Sequence, residues 1–180
     1  LLLVVDNGSV FTKKISELLQ STNVDFDLRA FDSVGSDSLN RYDSFILSGR
    51  RSNDRSMNAL NARIIRRCVA DSKKLLGICY GAELLVLTLG GTIRKMDSLQ
   101  KGNETITIGK ANSLASDKIG VYESHIYELA KLGTELESIG SSKTCRHEII
   151  RHKNGRIFGT QFHPEMTEDG AKLIEAFLKL

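Results

Sequence analysis

The stretch Leu75–Leu85, LLGICYGAELL, constrains the fold of this chain more than any other. Leu75, Leu76, Gly77 and Ile78 suit a short buried strand, Cys79 follows at a turn, and Ala82, Leu84 and Leu85 open a helical apolar period after Tyr80-Gly81. Glycines two residues before and two after the cysteine make G-x-C-x-G, the cysteine form of the nucleophile elbow, in which a sharp strand-to-helix turn lifts the nucleophile above a sheet. Glycine is needed on either side because a side chain would clash where the backbone doubles back. The unpaired N–H groups and dipole of the following helix favour an anion, and with it a reactive thiolate. Cys79 is therefore a candidate nucleophile. Taken alone, the stretch fits a buried cysteine in an ordinary β–α turn equally well.

The residues before the elbow supply the sheet it needs. Leu1–Val5 is an apolar run of strand length closed by Asp6-Asn7-Gly8-Ser9, and Ser9 reads as the N-cap of a helix carrying Phe11, Ile15, Leu18 and Leu19. Val24, Phe26, Leu28 and Ala30 alternate with polar residues as in a strand near a sheet edge, and Ser33–Ser38 reads as a polar loop. Phe45-Ile46-Leu47 is a third short strand ending at Ser48-Gly49, and Met57, Leu60, Ile64 and Cys68 mark a helix leading back to the elbow. Strands alternating with helices predict an α/β domain with an open, largely parallel central sheet flanked by helices. Reactive loops of such sheets gather beyond the carboxyl ends of the strands, where both Gly49 and Cys79 fall.

After Gly90-Gly91 the pattern changes. Thr92–Met96, Glu104–Ile108 and Lys118–Tyr122 read as short strands without long helices between them, which predicts a smaller antiparallel or mixed sheet. Asn154-Gly155 between Glu148–His152 and Arg156–Gln161 is a strong hairpin signal. Leu173, Ile174, Phe177 and Leu178 form a closing amphipathic helix from Thr167. In Gly159–Glu165, GTQFHPE, proline disfavours helical geometry before it, so the tripeptide His163-Pro164-Glu165 reads as extended, with His163 and Glu165 pointing the same way. A nucleophile, a base and an acid that orients the base are the parts of an activated-cysteine site.

With the GICYG elbow, ILSG at Ile46–Gly49, ESH at Glu123–His125 and the terminal QFHPE, the chain resembles the class I, triad-type glutamine amidotransferases, and the motifs occur in the family's order along nearly the whole of it. The resemblance implies a flavodoxin-like amidotransferase fold with residues 1–180 as a single glutaminase domain. It further implies hydrolysis of L-glutamine through a cysteine thioester, with Cys79 as nucleophile, His163 as base and Glu165 as its orienting acid. The oxyanion donors would be the backbone N–H of Tyr80 and the Gly49-Arg50 segment, and Glu83, Ser124 and His125 would be substrate-side residues. His125 also fits a loop histidine facing water. The tyrosine in CYG, the Ser-His pair and the small size most resemble glutaminase subunits of GMP synthases, with those of anthranilate and aminodeoxychorismate synthases next. An ammonia-accepting synthetase subunit is then the expected partner.

The chain departs from the family pattern at three places. Ser48-Gly49-Arg50-Arg51 stands where S-G-G-P is usual, Glu83 where a glutamine touches the substrate, and Tyr127 where an aspartate follows Ser-His. The first departure predicts low activity in the isolated chain until a partner holds the Arg50 segment in donor geometry. The second leaves open a same-fold hydrolase of another γ-glutamyl amide, and a non-catalytic binding module is the reading from a different class. Arg50, Arg51, Arg55, Arg63, Arg66 and Arg67 share a stretch whose only acid is Asp54, either a solvated face or a docking surface for an acidic partner.

Composition excludes other classes. The 180 residues suffice for one well-buried domain, and 41% hydrophobic with 26% charged residues is ordinary for a globular chain. No apolar run approaches the roughly 20 residues of a membrane span. A net charge of +3 does not point to nucleic acid. Three cysteines without paired spacing favour a reducing compartment, so a cytoplasmic location is expected, with Cys68 and Cys145 as small core residues. No zinc spacing, Walker loop or dinucleotide fingerprint occurs, so no metal or cofactor is expected. His147 and His152 read as surface residues flanking the hairpin.

Overall fold

A computed structural model describes all 180 residues, the side chain of Ser36 excepted. Nine strands form one mixed sheet in the order β2-β1-β3-β4-β9-β8-β7-β5-β6. The parallel part comprises β1 (Leu2–Asn7), β2 (Phe26–Ala30), β3 (Ser44–Arg50), β4 (Lys74–Ile78) and β9 (Ile157–Thr160). β2 lies at the edge, as its alternation predicts. The antiparallel part continues the same sheet through β8 (Ile149–His152), β7 (Leu136–Ser141), β5 (Thr92–Ile108) and β6 (Lys118–Lys131).

Both faces of the inner parallel strands β1, β3, β4 and β9 are covered, which is why these strands are largely apolar and buried, unlike β2 at the edge. Leu3, Val5, Phe45, Leu47 and Leu75 point to the side of α2 (Arg55–Ala70) and α3 (Tyr80–Thr88), where Met57, Ile64, Ile65, Cys68 and Leu85 complete one core. Their neighbours Leu2, Val4, Ile46, Leu76 and Ile78 point the other way. There they meet Ile15 and Leu19 of α1 (Thr12–Gln20) and Leu173, Ile174 and Phe177 of α4 (Glu168–Leu178). Each such side chain removed from water contributes about 1.5–3 kcal/mol. Asp54 Oδ1 accepts the Met57 N–H and Thr167 Oγ1 the Gly170 N–H, capping α2 and α4.

Several local expectations are corrected. Ser9 does not cap α1: the N-cap is Phe11, and the Ser9 hydroxyl accepts the Phe11 N–H two residues on. The segment expected as a loop over Ser33–Ser38 contains parts of two 3-10 turns, Phe31–Ser33 and Ser36–Arg41. The short strands expected at Thr92–Met96, Glu104–Ile108 and Lys118–Tyr122 are pieces of the long β5 and β6, paired as an antiparallel ribbon through a register shift between Lys95 and Gln100. The hairpin at Asn154-Gly155 forms as expected, with Gly155 at φ +69. Among the described residues no helix is long and apolar enough to cross a membrane.

Candidate active site

The carboxyl ends of β3, β4 and β9 bring the motifs together. The elbow is built as its glycines require: a Cβ on Gly77 would lie 2.6 Å from the carbonyl carbon of Gly81, and one on Gly81 would lie 2.4 Å from the carbonyl oxygen of Leu47. Cys79 between them adopts φ 52, ψ −105, a conformation held against its own preference by the Cys79 N–H donating to the Thr160 carbonyl at 2.7 Å. Its thiol lines a cleft of about 440 Å³ together with Arg50, Tyr80, Glu83, Ser124, His125 and Tyr127.

The chain continues from Thr160 to His163, whose N–H donates to the Tyr122 carbonyl of β6 at 2.9 Å. His163 Nδ1 lies 2.9 Å from Glu165 Oε1, and the Glu165 side chain is fully buried. The carboxylate accepts from Nδ1–H, which leaves Nε2 with its lone pair. The His163-Pro164-Glu165 tripeptide is not extended throughout: His163 is, whereas Pro164–Met166 is a 3-10 turn, and that turn brings the carboxyl back to the ring. Gly49 makes room for the imidazole, since a Cβ there would sit 3.0 Å from His163 Cε1.

The surroundings of the thiol favour its protonated form. Burial pushes its pKa well above the ordinary value, and the negative charges of Glu83, Glu165 and Glu123 push it further, against a hydrogen bond from the Tyr80 backbone N–H. A base is therefore required to generate the thiolate.

The segment around Gly49 is not a loop. Its residues belong to β3, and Arg50 stands opposite Asn7 of β1 and forms an isolated bridge with Gly8 just beyond it. The Arg50 side chain turns into the cleft, with its guanidinium 4.4 Å from the centre of the Tyr80 ring and 3.9 Å from Glu83 Oε2, and bonds Asn53. The Tyr80 hydroxyl in turn donates to Asn58 Oδ1 at 2.6 Å. Burial raises the Glu83 carboxyl while Arg50, His125 and Gln161 oppose the rise.

His125 is not a loop residue facing water. It is buried on β6, with Nε2 2.9 Å from Glu123 Oε2 and Nδ1 2.7 Å from the Tyr127 carbonyl. His152, expected at the surface, is also buried, and its Nδ1 accepts the Asn154 N–H. His147 is half-buried, and burial lowers its pKa. Cys68 and Cys145 are buried thiols pushed by burial to about 12, small core residues as expected.

Three neighbours of the site escaped sequence reasoning. Phe11 packs against the His163 ring edge-on, centroids 4.7 Å apart, although its spacing reads as one more apolar helix position. Asn7 donates its N–H to Ser48 Oγ and its Nδ2 to the Ser48 carbonyl and Asn61 Oδ1, tying β3 to β1 beside Gly49. Its place in a turn-like D-N-G-S run concealed that role. In the sequence Glu123 reads only as the first letter of the Glu123–His125 motif. Among the described residues no cluster of His, Cys, Asp and Glu is arranged to hold a metal ion.

Comparison with known proteins agrees with this geometry. The model of the class I glutamine amidotransferase family matches residues 3–180. One of the subunits of the glutamine-hydrolysing GMP synthase of Picrophilus torridus is 28% identical over 98% of this chain and 96% of its own length. Its counterpart in the GMP synthase of Thermoplasma acidophilum is 29% identical over 97% and 90%. A crystal structure described as that of a GMP synthase subunit from Thermoplasma acidophilum superposes with a TM-score of 0.87 at 27% identity, covering 99% of this chain and 92% of that one. The chain belongs to the class I glutamine amidotransferases, the glutamine amidohydrolases whose motifs it carries from the elbow to the terminal QFHPE.

Proposed function

We propose that this chain is the glutaminase subunit of a two-subunit GMP synthase, hydrolysing L-glutamine and passing ammonia to a separate synthetase subunit. Residues 1–180 act as one domain in this reading. The observation that carries it is the buried 2.9 Å His163–Glu165 pair at the strand ends that also present the strained Cys79, in a chain that two GMP synthase subunits match over nearly their whole length.

In the proposed reaction His163 Nε2 takes the Cys79 proton as sulfur attacks the side-chain amide carbon of glutamine. The Tyr80 N–H and the Gly49-Arg50 backbone receive the developing oxyanion. Collapse of the tetrahedral adduct breaks the C–N bond, and the proton on His163 passes to the departing nitrogen, releasing ammonia and leaving a thioester. Water, deprotonated by the same imidazole, then cleaves the thioester to glutamate and regenerates the thiol. Glu165 holds the ring in the required tautomer throughout. Glu83, Ser124 and His125 face the substrate.

The missing acceptor chemistry calls for a partner, because ammonia set free in water is protonated. Arg51 at the cleft and the exposed Arg55, Arg63 and Arg66 along α2 offer a basic surface for it. The test is glutamate release by the purified chain, alone and with the synthetase subunit of a related GMP synthase. Glutamate release that rises with the synthetase, GMP made from glutamine, and loss of both in Cys79→Ala are the expected results. Turnover only of another γ-glutamyl amide, which Glu83 in place of glutamine would favour, or no turnover with any partner, would overturn the proposal.

A further inference from the structure

Two of the departures from the family pattern meet in the cleft, and the reaction above gives their meeting no role. Arg50 stands where a glycine is usual and Glu83 where a glutamine is, and Arg50 Nη2 lies 3.9 Å from Glu83 Oε2. Arg151 and Glu137 elsewhere in the fold close to a hydrogen bond at 2.7 Å, whereas this pair stops short of one.

The backbone sets both ends of the pair. Arg50 ends β3, and Glu83 sits one helical turn past the nucleophile, its N–H donating to the Cys79 carbonyl at 2.9 Å. The guanidinium is steadied by the Tyr80 ring, 4.4 Å away, and by Asn53 Oδ1, which is its one hydrogen-bond acceptor among the described residues. It therefore keeps N–H groups for a ligand. The two side chains remain 20% and 5% exposed, and both line the cleft with Cys79. Burial raises the Glu83 carboxyl, and Arg50 is the first of the groups that oppose the rise. A guanidinium this near favours the ionised carboxyl, so the cleft presents a positive and a negative charge side by side.

The head of a free amino acid carries the same two charges on one carbon, and standard bond lengths place its charged atoms about 3 Å apart. Laid against the pair with each charge facing its opposite, the head exchanges one loose contact for two close ones. The reach also fits. The amide carbon of glutamine is three single bonds from the carbon that bears the head, about 4 Å when extended, and one helical turn rises about 5.4 Å. An amide at the thiol brings the head to the pair.

We propose that Arg50 and Glu83 form a head-group clamp that sets substrate specificity, the guanidinium taking the α-carboxylate and the Glu83 carboxylate taking the α-ammonium of the amino acid. The proposal rests on the glutaminase reading for the amide end of that substrate. It gives Glu83 a reason, because a carboxylate that only accepts suits an ammonium that only donates. A glutamine whose amino and carboxyl groups are locked in peptide bonds offers the clamp neither charge and is excluded.

The test titrates three ligands into the isotope-labelled Cys79→Ala chain, in which NMR reads binding without turnover. They are L-glutamine, 4-aminobutanamide, which lacks the α-carboxylate, and glutaric acid monoamide, which lacks the α-ammonium. L-Glutamine is expected to bind roughly tenfold to a hundredfold more tightly than either, the effect of one charge-assisted contact. Adding Arg50→Met should abolish its advantage over 4-aminobutanamide, with that ligand itself bound no more weakly. Adding Glu83→Gln should abolish its advantage over glutaric acid monoamide, again without weakening the truncated ligand. Arg50→Lys keeps the charge and loses the planar fork, so it should restore part of the preference. A merely structural role would weaken all three ligands together, and that result would overturn the proposal. So would an L-glutamine preference that survives in either variant, or a Cys79→Ala chain that binds the three ligands alike or does not bind L-glutamine. A chain with the intact thiol that turns over only another γ-glutamyl amide would overturn the glutaminase reading instead, and the titrations would still decide this one.

Discussion

Replacing Gly81 with alanine tests the elbow at its tightest point. The new methyl carbon would lie 2.4 Å from the Leu47 carbonyl oxygen and 3.0 Å from Leu47 Cβ. The closer contact is with backbone, so no side-chain rotation relieves it, and Leu47 itself is fully buried in β3. Either β3 or the start of α3 must move. Overpacking of this kind costs about 1–3 kcal/mol and sometimes more, and a backbone clash belongs at the upper end. For a chain of this length about 3 kcal/mol lowers Tm by roughly 6–12 °C. Most molecules would still be folded at 25 °C, yet the thiol would be displaced from its donors, and a misplacement near 1 Å costs on the order of a hundredfold in rate. Thermal unfolding followed by circular dichroism, with glutamate release measured at 25 °C, reads both effects. Gly109→Ala is the control, because its methyl would meet nothing within 4 Å and the residue has no positive φ. A Gly81→Ala variant with the Tm and turnover of the control would refute the reasoning.

The other expectations concern the residues around that turn. Glu165→Gln should lower kcat roughly tenfold to a hundredfold with little change in KM, since the ring loses its orienting charge while the cleft is untouched; steady-state glutamate release checks this. Replacing Arg50-Arg51 with Gly-Pro should raise basal turnover, because the guanidinium now pinned between Tyr80 and Glu83 would no longer shape the donor segment; unchanged basal turnover would argue against it. Glu148 has a native pKa of about 9 against an ordinary 4.5, so the folded chain keeps a proton that the unfolded chain releases above 4.5. Stability contributed by this group therefore falls as pH rises from 4.5 toward 9, and Glu148→Gln should gain Tm relative to the wild type at pH 8.5 compared with pH 5.5.

The parts legible in the sequence are those whose cause is local. The elbow could be read because Gly77 and Gly81 flank Cys79 at fixed spacing, and each stands where a Cβ would strike backbone. Asn154-Gly155 declared its hairpin, and the alternation of β2 its place at the edge. The long β5 reads as fragments because Asp97, Ser98 and Gly102 look like punctuation, whereas in the fold a register shift and a glycine at φ +124 carry β5 through them. The buried charges were illegible for a different reason. Glu123, Glu148, His125 and His152 are residue types that usually face water, and their types do not announce that Glu123 and His125 meet along β6 or that Glu148 accepts the Ser142 hydroxyl. Arg50 was expected to matter through its backbone; its side chain, stacked on Tyr80 against Glu83, depends on a meeting of β3 with α3 that spacing along the chain does not reveal.

The proposed chemistry needs one sulfur of three to form a thioester, and a glutamine-shaped diazoketone carrying the amino acid end of the substrate reports on it directly. Cys68 and Cys145 are buried and, unlike Cys79, line no part of the cleft, which puts them out of reach of such a reagent. Peptide mass mapping after incubation should find a single adduct on Cys79, suppressed by excess L-glutamine and absent in His163→Ala. An adduct on Cys68 or Cys145, or none on Cys79 in the chain bound to its synthetase, would contradict the assignment of Cys79 as the nucleophile.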